Sequence, residues 1–337
     1  MTSPVRVGIV GTGRIAPSHV AGARAAGAEV VAVAGADATR AAAFASRLGI
    51  PHAADVVSLI DDTEIDVVHV AGRNVDNVRT AALALDAGRH LVMEKPVGLS
   101  VADADRLVLA AERSGVQTMT CFTYLGQDGV QLARQRVLDG SAGAITTIRA
   151  HYLQDWMVFE PAPDWRVDPA IAGPGGALAD IGTHVFSLVE SITGETITAL
   201  SCRSTDRDGP PLVASLLIEL SNGAVGTIAI SQRALGHDND LRIEIDGDNE
   251  TLVWSADQPH QVEVAHPGDG GPEWTVVAGE PAADPLANLL RGFYASVAGD
   301  QASAPHPTLA FGARSTAFVH AALESAETGA SVALPGS

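Results

Sequence analysis

Val5-Arg6-Val7-Gly8-Ile9-Val10-Gly11-Thr12-Gly13-Arg14-Ile15-Ala16 decides how the rest of this chain is read. Residues 5–10 are a short β-branched run of the buried-strand kind, and an Ala-rich segment of helical character follows the turn to about Ala26. Strand, tight turn and helix in that order suit a dinucleotide pyrophosphate. The first glycine, Gly11, permits the turn; the second, Gly13, lets backbone approach the phosphates; the small Ala16 allows close helix packing. A helix N-terminus there offers free N–H groups and the positive end of the helix dipole. Gly11, Thr12, Gly13, Arg14 and Ile15 are therefore the candidate phosphate-binding turn. Glycines also mark ordinary turns, so the weight comes from what surrounds them.

Working outward, strands at 30–34, 65–70, 90–93 and 116–121 alternate with helices at 39–48, 74–87 and 101–114. That alternation implies a doubly wound parallel sheet, with the first domain over 1–123 and the remainder, 124–337, forming a second. In such a sheet an acid at the end of the second strand holds the adenosine ribose of NAD. Here that end reads Ala34-Gly35-Ala36, with Asp37 two positions late. Gly35 leaves space for a 2'-phosphate and Arg40 is placed to pair with it, though Arg40 reads equally as a solvated helix arginine. The cofactor is NAD or NADP, with a slight lean to NADP.

Composition bounds the rest. The chain has 337 residues, enough for two ordinary domains, and 46% hydrophobic against 18% charged residues marks it as globular. Its net charge of -19 repels phosphate backbones and anionic lipid, so neither nucleic acid nor membrane is expected as a partner. Two distant cysteines, Cys121 and Cys202, make no disulfide framework or metal motif, and no metal is expected. No apolar run reaches the roughly 18 residues of a membrane helix, and the opening strand follows no export-type segment. A cytoplasmic setting is expected.

In the second half, a helix at 131–138 leads into an alternating run at 148–154, and further runs follow at 199–204, 213–220, 224–231, 242–246 and 251–254, separated by turns such as Ser221-Asn222-Gly223. Helices return at 285–298 and 308–325, free to pack back on the first domain. His237, His260, His266 and His306 sit among turn-like residues and read as surface groups. Gln154-Asp155-Trp156 and Asp164-Trp165-Arg166 join aromatic rings to hydrogen-bonding groups, a pairing that suits a sugar with its apolar faces and hydroxylated rim. After Gly173-Pro174-Gly175-Gly176 comes an apolar helical run over 177–190, in which Asp180 and His184, four residues apart, share a face.

Glu94-Lys95-Pro96 closes the 90–93 strand at its carboxyl end, the edge where open α/β sheets bind ligands. With Gly11-Thr12-Gly13-Arg14-Ile15-Ala16 before it and Asp180-Ile181-Gly182-Thr183-His184 after it, the chain resembles the glucose-fructose oxidoreductase and inositol dehydrogenase (Gfo/Idh/MocA) family over nearly its whole length. The resemblance implies an N-terminal Rossmann domain and a C-terminal α/β domain with a large, open, mostly antiparallel sheet. One sheet face would border the nicotinamide and the other would serve oligomer contacts, in a homodimer or homotetramer. A segment usually Thr-Pro-Asn-x-x-His is here Gly72-Arg73-Asn74-Val75-Asp76-Asn77. Asn74 is retained near the nicotinamide, whereas Arg73 and Asn77 depart from the pattern. The loop containing Tyr124, Phe122 to Gln127, lacks the arginine that many members carry there.

The implied activity is hydride transfer between NAD(P) and a secondary alcohol or ketone of a sugar, inositol or anhydrosugar. Lys95, His184 and Asp180 are the candidate catalytic residues. Lys95 would stabilise charge on the reacting oxygen, His184 would move its proton, and Asp180 would orient the sugar, with Lys95 and His184 open to exchanging roles. Glu94 and Lys95 join Gly35, Arg40 and Asn74 as cofactor contacts. Tyr124, Gln154, Asp155, Trp156, Trp165 and Arg166 are the substrate contacts. The alternatives are another chemistry of the same family, namely retained-cofactor glycoside cleavage or imine or tetrapyrrole reduction, and a non-catalytic dinucleotide-binding regulator.

Overall fold

The computed structural model describes residues 4–159, 165, 168–205, 209–281, 284–300 and 305–335. Two compact units emerge, one of residues 1–126 with 284–316 and one of residues 127–283 with 317–337.

In the first unit β1 (Arg6–Val10), β2 (Glu29–Ala34), β3 (His52–Ala54), β4 (Val67–Val70), β5 (His90–Met93) and β6 (Thr118–Thr120) make one parallel sheet in the order β3-β2-β1-β4-β5-β6. Strand order reverses beside β1, which leaves a crevice at the carboxyl ends of β1 and β4. The connecting helices are α1 (Ala16–Ala25), α2 (Ala38–Leu48), α3 (Val56–Asp61), α4 (Asn74–Asp86) and α5 (Val101–Ser114). Their starts are fixed by side chains that satisfy free N–H groups: Asp37 accepts from Arg40 N–H, Asp55 from Ser58 N–H and Ser100 from Asp103 N–H. Val10, Val68, Val70, Leu91, Met93 and Leu107 are among the residues of its core. The elements β3 and α3 were not foreseen. Three residues are too few to show a strand period, and the six-residue helix is too short to show a helical one. The last strand is also shorter than the expected 116–121.

The second unit begins with α6 (Asp128–Leu138) and β7 (Ile145–Leu153), then α7 (Trp156–Phe159), α8 (Pro169–Ala172) and α9 (Thr183–Thr193). Its sheet is completed by β8 (Ile197–Ser204), β9 (Val213–Leu220), β10 (Val225–Ser231), β11 (Asp240–Gly247), β12 (Thr251–Ser255), β13 (Gln261–Gly268), β14 (Gly271–Ala278) and β15 (Val332–Ala333). The order is β14-β13-β12-β11-β7-β10-β9-β8-β15, and only β7 and β10 run parallel. Along β9, Ala214, Leu216, Ile218 and Leu220 are buried while Ser215, Leu217 and Glu219 face out, the alternation of a sheet covered on one side. Helices α6 and α9 pack on strands of this sheet. The opposite face carries exposed Leu217 and Val225 and an open groove of about 880 Å³ lined in part by Arg149, His151, Arg203, Arg242 and Glu244.

Two later helices, α10 (Pro285–Val297) and the part of α11 (Leu309–Thr328) up to Thr316, belong to the first unit. Helix α10 lies so close to α1 that a Cβ at Gly22 would sit 3.1 Å from Leu286 Cγ. At Gly126 a Cβ would lie 1.9 Å from the Pro285 carbonyl oxygen, so only glycine fits there. No helix among the described residues is long and apolar enough to cross a membrane.

The hairpin β13–β14 was also not foreseen. In β14 no residue is buried, and its Gly271-Pro272 start reads as a turn. Among the histidines expected at the surface, His266 lies in β13 with Nε2 3.9 Å from Glu273 and His237 Nδ1 is 2.8 Å from Asp240, their side chains 36% and 41% exposed, while His260 and His306 are half-buried.

Candidate active site

The first unit presents the cofactor candidates along the carboxyl ends of its strands. Gly11 leaves β1 with φ +137°, and its N–H donates to the Ala34 carbonyl at 2.8 Å, tying the turn to the end of β2. A Cβ at Gly11 would lie 2.4 Å from the Ala71 carbonyl oxygen, whereas one at Gly13 would meet nothing within 4 Å. The two glycines therefore serve different ends: the first is demanded by the fold, the second leaves open space over the turn. Helix α1 starts at Ala16 with Pro17 in its first turn and no side-chain cap from Ile15. Arg14 and Ile15 are exposed. An open glycine beside an uncapped helix start fits a dinucleotide phosphate.

The ribose end is more crowded than the sequence suggests. A Cβ at Gly35 would lie 3.1 Å from Thr12 Cγ2, so Thr12 takes part of the space the glycine opens. Asp37 is engaged as the cap of α2, accepting from Arg40 N–H at 3.0 Å, while Arg40 itself is exposed. On the turn after β4, Asn77 accepts from Gly72 N–H at 2.8 Å and donates to the Gly72 carbonyl at 3.3 Å. The residue that departs from the family pattern thus braces the turn that carries half-buried Asn74. Arg73 is exposed and pairs with Asp76 at 2.8 Å.

Glu94 extends the ladder beyond β5, its N–H donating to the Val70 carbonyl at 3.0 Å. Lys95 follows, half-buried, joined to Pro96 by a cis peptide, and Thr316 Oγ1 donates to the Val97 carbonyl at 2.7 Å. Tyr124 is half-buried in a 3-10 turn, Thr123–Gly126.

Behind Glu94 lies a buried polar chain that sequence reading missed. His19 Nε2 is 3.1 Å from Glu94 Oε1, His19 Nδ1 is 3.1 Å from His69 Nδ1, and His69 Nε2 is 2.9 Å from the Tyr294 hydroxyl. Both imidazoles are fully buried. Burial, reinforced by the neighbouring His19, holds His69 well below the usual histidine range. Burial and the adjacent Glu94, whose carboxylate the thiol contacts, push Cys121 well up; burial, with Cys121 nearby, does the same to Tyr294. His19, Glu94 and Cys121 bring three ligand-type atoms within 4.8 Å of one another. The available signals were the lone histidine in the otherwise apolar Val67-Val68-His69-Val70 and the histidine one turn into α1.

In the second unit the stretch expected as one α-helix begins differently. Residues Leu178–Gly182 form a π turn, with Thr183 N–H reaching the Leu178 carbonyl five residues back, and α9 starts only at Thr183. The face shared by Asp180 and His184 is thus set by a wide turn, not by α-helical spacing. Small residues at 177, 179 and 182 accommodate it without changing the hydrophobic period, so no period count reveals it. Turns of this kind concentrate at functional sites.

Asp180 and His184 are both half-buried. Asp180 Oδ2 accepts from Gln232 Nε2 at 2.8 Å, and the His184 ring lies 6.2 Å from that of Tyr152. The Tyr152 hydroxyl donates to Asn239 Oδ1 at 2.6 Å, Gln154 Nε2 donates to the same oxygen at 2.8 Å, and Trp156 Nε1 donates to Gln154 Oε1 at 3.0 Å. Asp155 accepts from Gly236 N–H at 3.0 Å. Gln154 and Trp156 are thus held in one hydrogen-bonded patch with Tyr152 and Asn239. Trp165 is half-buried, and Asp164 and Arg166 lie outside the described residues. Gln232, Asn239 and Tyr152 were not singled out from sequence: two lie in the connection between β10 and β11, and the third looked like an ordinary strand residue. The groove on the open sheet face is lined by neither Asp180 nor His184.

Comparison with known proteins agrees over both units. Residues 5–122 match the model described as "Oxidoreductase family, NAD-binding Rossmann fold" and residues 130–253 match "GFO/IDH/MocA C-terminal domain". Levoglucosan dehydrogenase of Pseudarthrobacter phenanthrenivorans is 29% identical over 256 residues, 68% of this chain and 65% of that protein, so the aligned stretch spans just under two thirds of the relative's length. D-xylose 1-dehydrogenase (NADP(+)) 2 of Haloferax volcanii is 30% identical over 66% of this chain and 68% of its own. In structure, a levoglucosan dehydrogenase in complex with NADH and levoglucosan superposes with a TM-score of 0.92 at 26% identity, covering 99% of this chain and 100% of the other.

Proposed function

Because the chain belongs to the Gfo/Idh/MocA oxidoreductase family, we propose that it is an NAD(P)-dependent dehydrogenase or reductase acting on a secondary alcohol or ketone of a sugar, inositol or anhydrosugar. The observation that carries this is the polar patch of the second unit, where Asp180 is held by buried Gln232 and Trp156 is hydrogen-bonded through Gln154 to Asn239. An indole and several fixed donors and acceptors match a ring with apolar faces and a hydroxylated rim.

The dinucleotide, when bound, supplies or accepts the hydride. The chain's own residues do the rest. Gly11, Thr12, Gly13, Arg14 and Ile15 take the phosphates, while Asn74, Glu94 and Lys95 border the nicotinamide half. Lys95 Nζ donates to the reacting oxygen and stabilises its negative charge; His184 takes the hydroxyl proton in oxidation and returns it in reduction; Asp180 orients the sugar. The substrate contacts we propose among the described residues are Tyr124, Gln154, Asp155, Trp156 and Trp165. A non-catalytic dinucleotide sensor would have no use for an acid fixed in place four residues from an imidazole.

Between the two cofactors we favour NADP slightly, on exposed Arg40 and on the absence of an acid at position 35. Thr12 against Gly35 limits the space for a 2'-phosphate and keeps NAD in play. The buried, unbridged Cys121 and Cys202 support a reducing, cytoplasmic setting, and the open sheet face with exposed Leu217 and Val225 supports a homodimer or homotetramer.

The test is a screen of sugars, inositols and anhydrosugars with NAD and NADP in turn, following the absorbance of reduced nicotinamide. Turnover on at least one polyol is expected. No hydride transfer with either cofactor across the panel would sink the proposal.

A further inference from the structure

Five residues, on β4, α1 and α10 and just past the ends of β5 and β6, meet in the interior of the first unit and leave one opening, at Glu94. His19 and His69 are fully buried, Tyr294 is 5% exposed, Cys121 is 1% exposed, and the Glu94 side chain is 14% exposed. Their hydrogen bonds admit one assignment if Glu94 is ionised and both imidazoles are neutral. A carboxylate only accepts, so His19 Nε2 carries the proton and donates to Glu94 Oε1 across 3.1 Å. His19 Nδ1 is then the acceptor, so His69 donates from Nδ1 across 3.1 Å. His69 Nε2 is left as an acceptor, and the Tyr294 O–H fills it across 2.9 Å. The Cys121 sulfur lies beside them, with ligand-type atoms of His19, Glu94 and Cys121 all within 4.8 Å of one another. Every bond points the same way, from Tyr294 towards Glu94.

That match of donors to acceptors also decides what the cluster is. His19, Glu94 and Cys121 have the atom types of a cation site. Both ring nitrogens of His19 are already engaged, Nε2 with Glu94 and Nδ1 with His69, so an ion bound through His19 would have to break one of those hydrogen bonds.

We propose that Tyr294, His69 and His19 are positioning residues for Glu94: a one-way chain of buried donors that fixes both histidine tautomers, holds the carboxylate in one orientation, and aims its outward lone pairs at hydroxyl donors of the dinucleotide's ribose. This rests on the dinucleotide reading given above. The His19 donor satisfies part of the carboxylate from inside, and the open side at the carboxyl edge of the sheet accepts from outside. The chain acts through Glu94 alone; Tyr294 and His69 touch no ligand.

Two measurements on the full-length protein separate the relay from the reading it rests on. Long-range proton–nitrogen spectra of histidine-labelled protein, taken without cofactor, should show His19 protonated on Nε2 and His69 on Nδ1 at neutral pH, with Tyr294→Phe shifting the His69 resonances. The opposite tautomers, or a charged His19, overturn the relay whatever the protein binds. NADH and NADPH binding, followed by nicotinamide fluorescence, should weaken about tenfold in His19→Leu and in Glu94→Gln. His19→Gln, which keeps a donor at the same reach, should stay within about threefold of wild type. Expected tautomers with unchanged binding in Glu94→Gln overturn the aim assigned to the carboxylate, and a wild-type protein that binds neither nucleotide overturns the dinucleotide reading and that aim with it. Stoichiometric zinc, present without added metal and lost in His19→Leu, overturns the assignment in favour of a metal centre.

Discussion

Gln232 Nε2 lies 2.8 Å from Asp180 Oδ2, so the acid of the candidate pair is held by an amide that is itself only 2% exposed. A hydrogen bond from a buried donor to a carboxylate is among the stronger ones, about 1.5–3 kcal/mol. Gln232→Leu should therefore lower kcat/KM on any accepted polyol by roughly 10- to 100-fold while leaving NAD(P)H binding unchanged. Steady-state kinetics beside a fluorescence titration check this. Kinetics within twofold of wild type would show that Asp180 needs no such support.

Lys95→Met should abolish most turnover, by about 100-fold or more, because it removes the donor at the oxygen where charge develops. Bound nicotinamide should still be detectable by fluorescence, since methionine keeps most of the side-chain volume. Unchanged turnover on a confirmed substrate removes Lys95 from the catalytic set.

The two glycines of the first turn should separate fold from binding. At Gly11 a Cβ meets the Ala71 carbonyl oxygen at 2.4 Å with φ +137°, so Gly11→Ala should lower unfolding free energy by about 2–4 kcal/mol. At Gly13 nothing lies within 4 Å, so Gly13→Ala should unfold within about 0.5 kcal/mol of wild type and yet bind dinucleotide about tenfold more weakly. Denaturant melts and binding titrations read both arms. Equal stability losses would contradict the division of labour.

Acid should destabilise the first unit through His69. Burial holds it well below its ordinary value of 6.5, so below that pH the unfolded chain takes up a proton that the folded chain refuses. The stability is present in full above about pH 6.5 and falls by about 1.4 kcal/mol per pH unit below it, until the folded form itself protonates. His90 is lowered as well, by burial against the opposing effect of Asp66, and contributes in the same direction. Urea unfolding at about pH 7 and about pH 5.5 should show a smaller drop in His69→Gln than in wild type. Identical drops would mean that His69 is charged in the folded protein.

Cofactor choice can be read at α2. If Arg40 faces a 2'-phosphate, Arg40→Ala raises KM for NADP about tenfold and leaves KM for NAD unchanged. An equal change for both nucleotides places Arg40 in solvent.

Most of the first unit was legible because its buried parallel strands are continuous β-branched runs, closed by residues with a local mechanical reason to be there. Gly11 at the turn and Lys95 at a strand end each announce themselves within a few neighbours. What stayed hidden depends on distance or on departures from a regular period. His69 looks like one more strand residue until Tyr294, 225 positions away, supplies its hydrogen bond. Gln232 and Asn239 lie in a connection that has no period at all. The π turn keeps the hydrophobic pattern of a helix, and the hairpin from Gln261 to Ala278 has an outer strand with no buried face to betray it.

The first unit is discontinuous in sequence, built from residues 1–126 and 284–316. That has a consequence for how the protein is made. On the ribosome the six strands emerge early, but α10, which covers α1 at Gly22 and delivers Tyr294 to His69, arrives after more than 150 further residues. At ordinary elongation rates this is a wait on the order of 10–40 s, during which the nascent sheet carries an uncovered apolar helix face and an imidazole lacking its final donor. The candidate cofactor turn is thus synthesised well before the helix that closes the unit behind Glu94.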